Sequence, residues 1–186
     1  MSEGSLRVRL AACVAALCAA ACGSEPLAPP VDAPPGALVV SADGVAGLGA
    51  ATAFDTAAVR AALPPGFTVE RQPGGGPDGA ALWALRDGRL VFEVYAEGGR
   101  VGRVEAVSDD VLGPDGARVG YSTFADLDGA DLDCEPGAGA LDGRAVCEAG
   151  PVRYAFASGA IAPGQDLPDA DQLADALLER IVWTAE

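Results

Sequence analysis

Residues 81–95 read ALWALRDGRLVFEVY, with Asp87-Gly88 between two apolar runs. That dipeptide is the strongest short hairpin signal, because a type I′ turn needs positive φ at both central positions. A two-residue turn pairs Arg86 with Arg89, Leu85 with Leu90, Ala84 with Val91 and Trp83 with Phe92. Period-two alternation then predicts a core face of Trp83, Leu85, Leu90, Phe92 and Val94. The other face mixes Ala84, Arg86, Arg89, Val91, Glu93 and Tyr95, and is expected to be half wet. Gly98-Gly99 turns the chain into a third strand over residues 100–107. There Val101 and Val107 fall on one face, Val104 and Ala106 on the other. This meander is expected at the centre of a sheet.

Working outward towards the N-terminus, residues 73–79 (PGGGPDG) form a loop and residues 67–70 a strand. Asp55 or Thr56 caps a helix that runs through Ala62 and ends at Pro64-Pro65-Gly66. Residues 37–41 read as the first strand. Towards the C-terminus, residues 112–117 turn, and Ser122 or Thr123 caps a short helical turn. Residues 144–147 and 152–158 read as strands around Gly150-Pro151. Residues 168–178 predict a helix with Ala170, Leu173, Ala174 and Leu177 on one face. Ile181-Val182-Trp183-Thr184 favours a last strand. The expected fold is mainly β, an antiparallel sandwich-like sheet with two or three short helices, with α+β as the alternative.

The first 36 residues are of another kind. Arg7 and Arg9 precede the apolar run LAACVAALCAAAC of residues 10–22. A basic start, a short apolar run and small residues before a break make a secretory signal. The run is too short to span a bilayer, which takes ~20 apolar residues. It ends Ala19-Ala20-Ala21-Cys22, which resembles the bacterial lipobox, so residues 1–21 are expected to be a signal peptide and Cys22 the acylated N-terminus. Cys13 has no apolar run before it, and Cys18 follows bulky Leu17. An ordinary signal cut at an Ala-x-Ala site is the alternative. Residues 22–36 hold Pro26, Pro29, Pro30, Pro34 and Pro35. Proline fixes φ and removes a donor, so this stretch reads as an extended tether. Residues 37–186 then form one domain.

Composition narrows the chemistry. The chain carries a formal charge of −15, with 27 acidic and 12 basic residues, no histidine, and no lysine among the bases. Such a chain repels phosphate backbones, so no nucleic-acid partner is expected. Lack of histidine removes His-activated nucleophiles and imidazole metal ligands. Lack of lysine removes Schiff bases and the phosphate-binding lysine of P-loops. An enzyme would have to use carboxylates such as Glu93, Glu97, Glu105 or Asp109, of which Glu93 and Glu105 could sit on neighbouring strands.

Residues 119–127 (VGYSTFADL), Cys134, residues 144–150 (RAVCEAG) and residues 152–159 (VRYAFASG) fall in a recognisable order. With residues 41–47 and the closing Ile181-Val182-Trp183, they resemble a family of small bacterial lipoproteins of unknown function. Its type member is controlled by the envelope-stress sigma factor (sigma-E). The resemblance implies a mainly β domain facing the periplasm from the outer membrane, held by its lipid, with no catalytic residue or cofactor to transfer. A non-catalytic binding or scaffold role in envelope maintenance, with an envelope protein as possible partner, is the expected function. A small-ligand- or calcium-binding periplasmic domain is the alternative, and a carboxylate-based glycan-acting enzyme the second alternative.

Candidate sites follow from the same stretches. Cys134 and Cys147 lie 13 apart in an exported chain, where a disulfide is the expected state. Asp126, Asp128, Asp131, Asp133 and Glu135 invite a calcium reading, although Phe124 falls at the first ligand position of an EF-hand and Pro136 prevents its exit helix. The default is a solvated acidic loop with no metal. Tyr95, Tyr121 and Tyr154 could form an exposed aromatic patch for a partner, or be partly buried sheet residues.

Overall fold

Asp87 and Gly88 take φ of 52° and 76°, the positive values that a type I′ turn needs, and the hairpin forms around them. The computed structural model describes residues 36–73, 80–150, 152–159, 161 and 165–185. Along the chain run β1 (Leu38–Ser41), β2 (Gly44–Val45), α1 (Thr56–Ala62), β3 (Phe67–Pro73), β4 (Ala80–Arg86), β5 (Arg89–Glu97), β6 (Arg100–Ala106) and β7 (Val111–Leu112). They are followed by β8 (Asp133–Pro136), β9 (Arg144–Ala149), β10 (Val152–Ala157), α2 (Ala170–Leu173) and β11 (Leu178–Thr184).

Eight strands form one open antiparallel sheet in the order β3-β4-β5-β6-β11-β10-β9-β8. The last strand is thus inserted between the N-terminal meander and the β8–β10 hairpins. The fold is mainly β. A small sheet, β2-β1-β7, and α1 pack their apolar side chains into the same core as one face of the large sheet. On that face Leu82, Phe92, Ile181, Tyr154 and Phe156 are buried. Asp55 caps α1 by accepting from the Ala58 N–H, and the helix stops at Leu63, before Pro64-Pro65.

The core face of the hairpin differs from the alternation expected. Leu85 opposes Leu90, but Ala84 opposes Phe92, so Val91 is an extra residue, a β-bulge. A bulge reverses the facing of everything beyond it. Leu82, Ala84, Val91, Phe92 and Val94 are buried, whereas Trp83, Leu85 and Leu90 are half-buried. A second shift lies between β5 and β6, where Tyr95 opposes Arg103 and Ala96 opposes Val101, leaving Gly102 as the extra residue. A Cβ on Gly102 would stand 2.3 Å from that of Glu97, so this bulge requires glycine. It brings Val101 into the core cluster with Val104 and Ala106, rather than opposite them as expected.

The helix expected over residues 168–178 is a single turn. Asp169 and Gln172 make a capping box for α2, but the chain then extends. Loop backbone takes its hydrogen-bonding groups instead: Phe124 N–H donates to Ala176 O, and Leu178 N–H to Ser122 O. Leu178 therefore begins β11, and Leu177 is exposed.

Residues 133–136, read as part of an acidic loop, form the edge strand β8. Cys134 stands directly opposite Cys147, and their sulfurs are 2.04 Å apart, a disulfide joining β8 to β9. The edge strand has four residues and ends in proline, which limits further pairing. In the chain-entropy model, closing a loop of this length stabilises by up to ~3 kcal/mol. The paired substitution Cys134→Ser with Cys147→Ser should lower stability in urea by roughly 2–3 kcal/mol. Thiol titration of the unfolded wild-type chain should find neither sulfur free until a reductant is added.

Candidate functional site

The face of the sheet turned away from the main core carries the charges. Glu93 on β5 lies directly opposite Glu105 on β6. Two like charges so placed repel, and Glu105 is fully buried. Arg180, on the adjoining β11, resolves the conflict. Its Nη1 lies 2.9 Å from Glu93 Oε2 and 2.6 Å from Glu105 Oε2. Burial works against the guanidinium charge, but the hydrogen bond and field of Glu93 and the charge of Glu105 outweigh it. The net shift holds its proton more tightly than usual.

Arg103 Nε stands 3.2 Å from Glu105 Oε1, in ion contact but not aligned for a hydrogen bond. Its guanidinium lies over the Tyr95 ring, 4.2 Å from the centroid. The Tyr95 hydroxyl in turn donates to Glu93 Oε2 at 2.8 Å. Burial, then the charge of Glu105 and the bond to Glu93, push the Tyr95 phenol well above its usual range. Sequence reasoning brought out the two acids but missed Arg180 and Arg103. Only the pairing of β6 with β11, 75 residues apart at Glu105 and Arg180, brings them together.

The other sequence candidates are dispersed. Glu97 ends β5 and is exposed. Asp109 lies beyond the far end of the sheet, bonded to Arg89 at 2.9 Å and 4.0 Å from Arg118. The hydrogen bond from Arg89 holds its carboxyl below the usual range. The Asp126 carboxylate accepts from the Thr123 N–H, which lowers its pKa, and Thr123 Oγ1 accepts from the Asp126 N–H. Asp128 is left-handed, Asp131 ends a 3-10 turn, and Asp133 and Glu135 lie in β8 opposite Glu148 and Val146. Among the described residues no three His, Cys, Asp or Glu side chains gather to hold a metal ion. The backbone of the acidic run lies in turns and a strand edge, and the Asp126 carboxylate is bonded locally. Cys22 lies outside the described residues.

The tyrosines form no patch. Tyr95 is buried on the charged face. Tyr154 is buried in the main core, donating to Asp115 Oδ1 at 2.5 Å. Tyr121 alone is exposed, stacked beside Arg118 at 4.3 Å. Burial, then the hydrogen bond to Asp115, raises the Tyr154 phenol strongly.

The open antiparallel sheet has its main core on one face and, on the other, a charged cluster beside a small buried apolar one (Leu141, Val146, Ala155, Val182). This defines a class of small mainly β domains, without a recognisable catalytic constellation among the described residues. A family model, "Protein of unknown function (DUF1131)", matches residues 28–185, and the chain belongs to that family. The fold is also that of a crystal structure of the uncharacterized protein yfeY from Escherichia coli. The two are 20% identical with a TM-score of 0.62, over 77% of this chain and 97% of that one. No curated protein matches.

Tyr95 and Tyr154 both have raised pKa values in the folded state. Their contribution is complete below the unfolded tyrosine pKa of about 10 and is lost as pH rises above it. Urea stability should therefore start to fall at about pH 10 and keep falling over about the next pH unit and beyond. The double variant Tyr95→Phe with Tyr154→Phe, though less stable at neutral pH, should show a flatter fall over that interval. An unchanged slope would contradict the assignment.

Proposed function

We propose that this protein is a lipid-anchored, non-catalytic binding protein of the bacterial outer membrane, its domain facing the periplasm on the proline tether. One observation carries the non-catalytic part. Glu93 and Glu105, the acid pair that carboxylate chemistry would need, are both held by Arg180. A glycan-cleaving pair needs one carboxyl free to give up a proton and the other free to attack or to activate water. Here both are occupied by a guanidinium.

The lipobox-like residues 19–22 and the proline-rich stretch behind them support the anchor. The disulfide supports an oxidising compartment. The likeness of residues 119–159 to small lipoproteins under the envelope-stress sigma factor supports a part in envelope maintenance, with another envelope protein as partner.

Metabolic labelling with a fatty-acid probe, followed by membrane fractionation, tests the anchor. The wild-type chain should take up the label and sediment with outer membranes, while Cys22→Ser should do neither. An unlabelled, soluble wild-type chain would refute the anchor. Crosslinking in intact envelopes tests the binding role and should yield a reproducible partner.

A further inference from the structure

On the charged face, next to the ionic cluster, lies a groove of about 400 Å³ lined by Tyr95, Glu97, Arg103, Arg153, Thr184 and the glycine turns beside them. Its two basic residues come from β6 and β10, the strands on either side of β11. Arg103 on β6 pairs directly with Thr184 on β11, and Arg153 on β10 pairs with Val182, two residues along β11. Alternation puts all four on one face.

Unlike four other arginines of the sheet, these two make no hydrogen bond to a carboxylate; Arg71, over the Phe54 ring, and Arg100, which donates to Ala51 O, make none either. Arg86, Arg89, Arg144 and Arg180 each reach a carboxylate at 2.6–2.9 Å. Arg103 Nε is buried against Glu105 Oε1 at 3.2 Å without hydrogen-bond alignment, so only its terminal nitrogens are left for a ligand. Arg153 stands 3.9 Å from Glu148, beyond hydrogen-bond reach. Acidic residues outnumber basic ones 27 to 12, yet two guanidiniums line one groove without a hydrogen-bonded carboxylate. Arg103 is held flat over Tyr95, so little freedom is lost when it binds a ligand.

The geometry points to a carboxylate-binding subsite, with Arg103 and Arg153 as the charged donors and the Thr184 hydroxyl beside them. Guanidinium forks match a planar carboxylate in two parallel hydrogen bonds. Phosphate, near two negative charges at neutral pH, fits less well, since Glu97 lines the groove and Glu148 stands beside Arg153. The volume suits a small acid or the end of a peptide. The groove also lies away from the tether. Gly36 and Ala37, where the domain begins, line a cleft with Arg86 and Asp110 near the start of β5, while Tyr95 and Glu97 are at its other end. Eight residues of strand separate the ends by roughly 26 Å. The subsite deepens the binding reading above and rests on it.

The test titrates the purified full chain with N-acetylalanine, its neutral amide and inorganic phosphate at equal ionic strength, following arginine side-chain N–H signals by NMR. N-acetylalanine should shift the Arg103 and Arg153 signals saturably, and the amide should not. Arg153→Gln, a surface change, should weaken binding roughly tenfold, the value of one charged hydrogen bond. Arg103→Gln should do the same if it folds. Shifts that do not saturate, an amide that binds equally, phosphate that binds more tightly, or an unaffected Arg153→Gln would each overturn the subsite. If Arg153→Gln still crosslinks the same partner in envelopes, the binding role stands and this groove is not its site.

Discussion

Arg180 joins the last strand to the meander through two carboxylates, 87 and 75 residues earlier in the chain, that would otherwise repel. Glu105 is fully buried, and a buried carboxylate without a partner is strongly destabilising. The strand beside β6 must therefore supply a cation at this position. A buried ion pair adds little over a well-packed apolar substitute, but removing one partner leaves an uncompensated buried charge. With β11 fixed, β10, β9 and β8 follow in order, and the disulfide holds the edge.

The same cluster shapes the surface. Arg180 takes both acids on the Glu93 side, so Arg103 keeps only a misaligned contact with Glu105 and a stacking contact with Tyr95. One arginine bonds Oε2 of both acids, while its neighbour makes no hydrogen bond to either. A structural requirement of the sheet thus leaves a basic groove on an acidic protein. Its place on strands rather than loops gives it a rigid support.

Much of the fold was legible in local sequence. Asp87-Gly88 located the hairpin, Asp55 the start of α1, Gly98-Gly99 the next turn, and the β-branched run at 181–184 the last strand. What was not legible depended on single residues or on distant partners. Period-two reading has no place for an extra residue, so the bulge at Val91 reversed the expected faces and moved Trp83 and Leu85 out of the core. Gly102 looked like an ordinary strand glycine, although an isolated glycine in a strand is a signal of a bulge. The helical periodicity at 168–178 lost to backbone partners offered by residues 122–125. Of the site, Glu93 and Glu105 could be placed on adjacent strands, but Arg180, Arg103 and Arg153 gained meaning only from β6–β11–β10 pairing. The acidic run at 126–135 was conspicuous because it is dense, yet its backbone forms turns and an edge strand. Among its described residues only the Asp126 carboxylate is bonded locally.

The most direct measurement is a double-mutant cycle between Arg180 and Glu105, with Arg180→Met, Glu105→Gln and the pair compared by urea unfolding. If Arg180 satisfies the buried carboxylate, Arg180→Met alone costs ~3–5 kcal/mol. The double variant then recovers a good part of that loss, a coupling of at least ~1.5 kcal/mol. Additive effects, with coupling within ~0.5 kcal/mol of zero, would contradict the account.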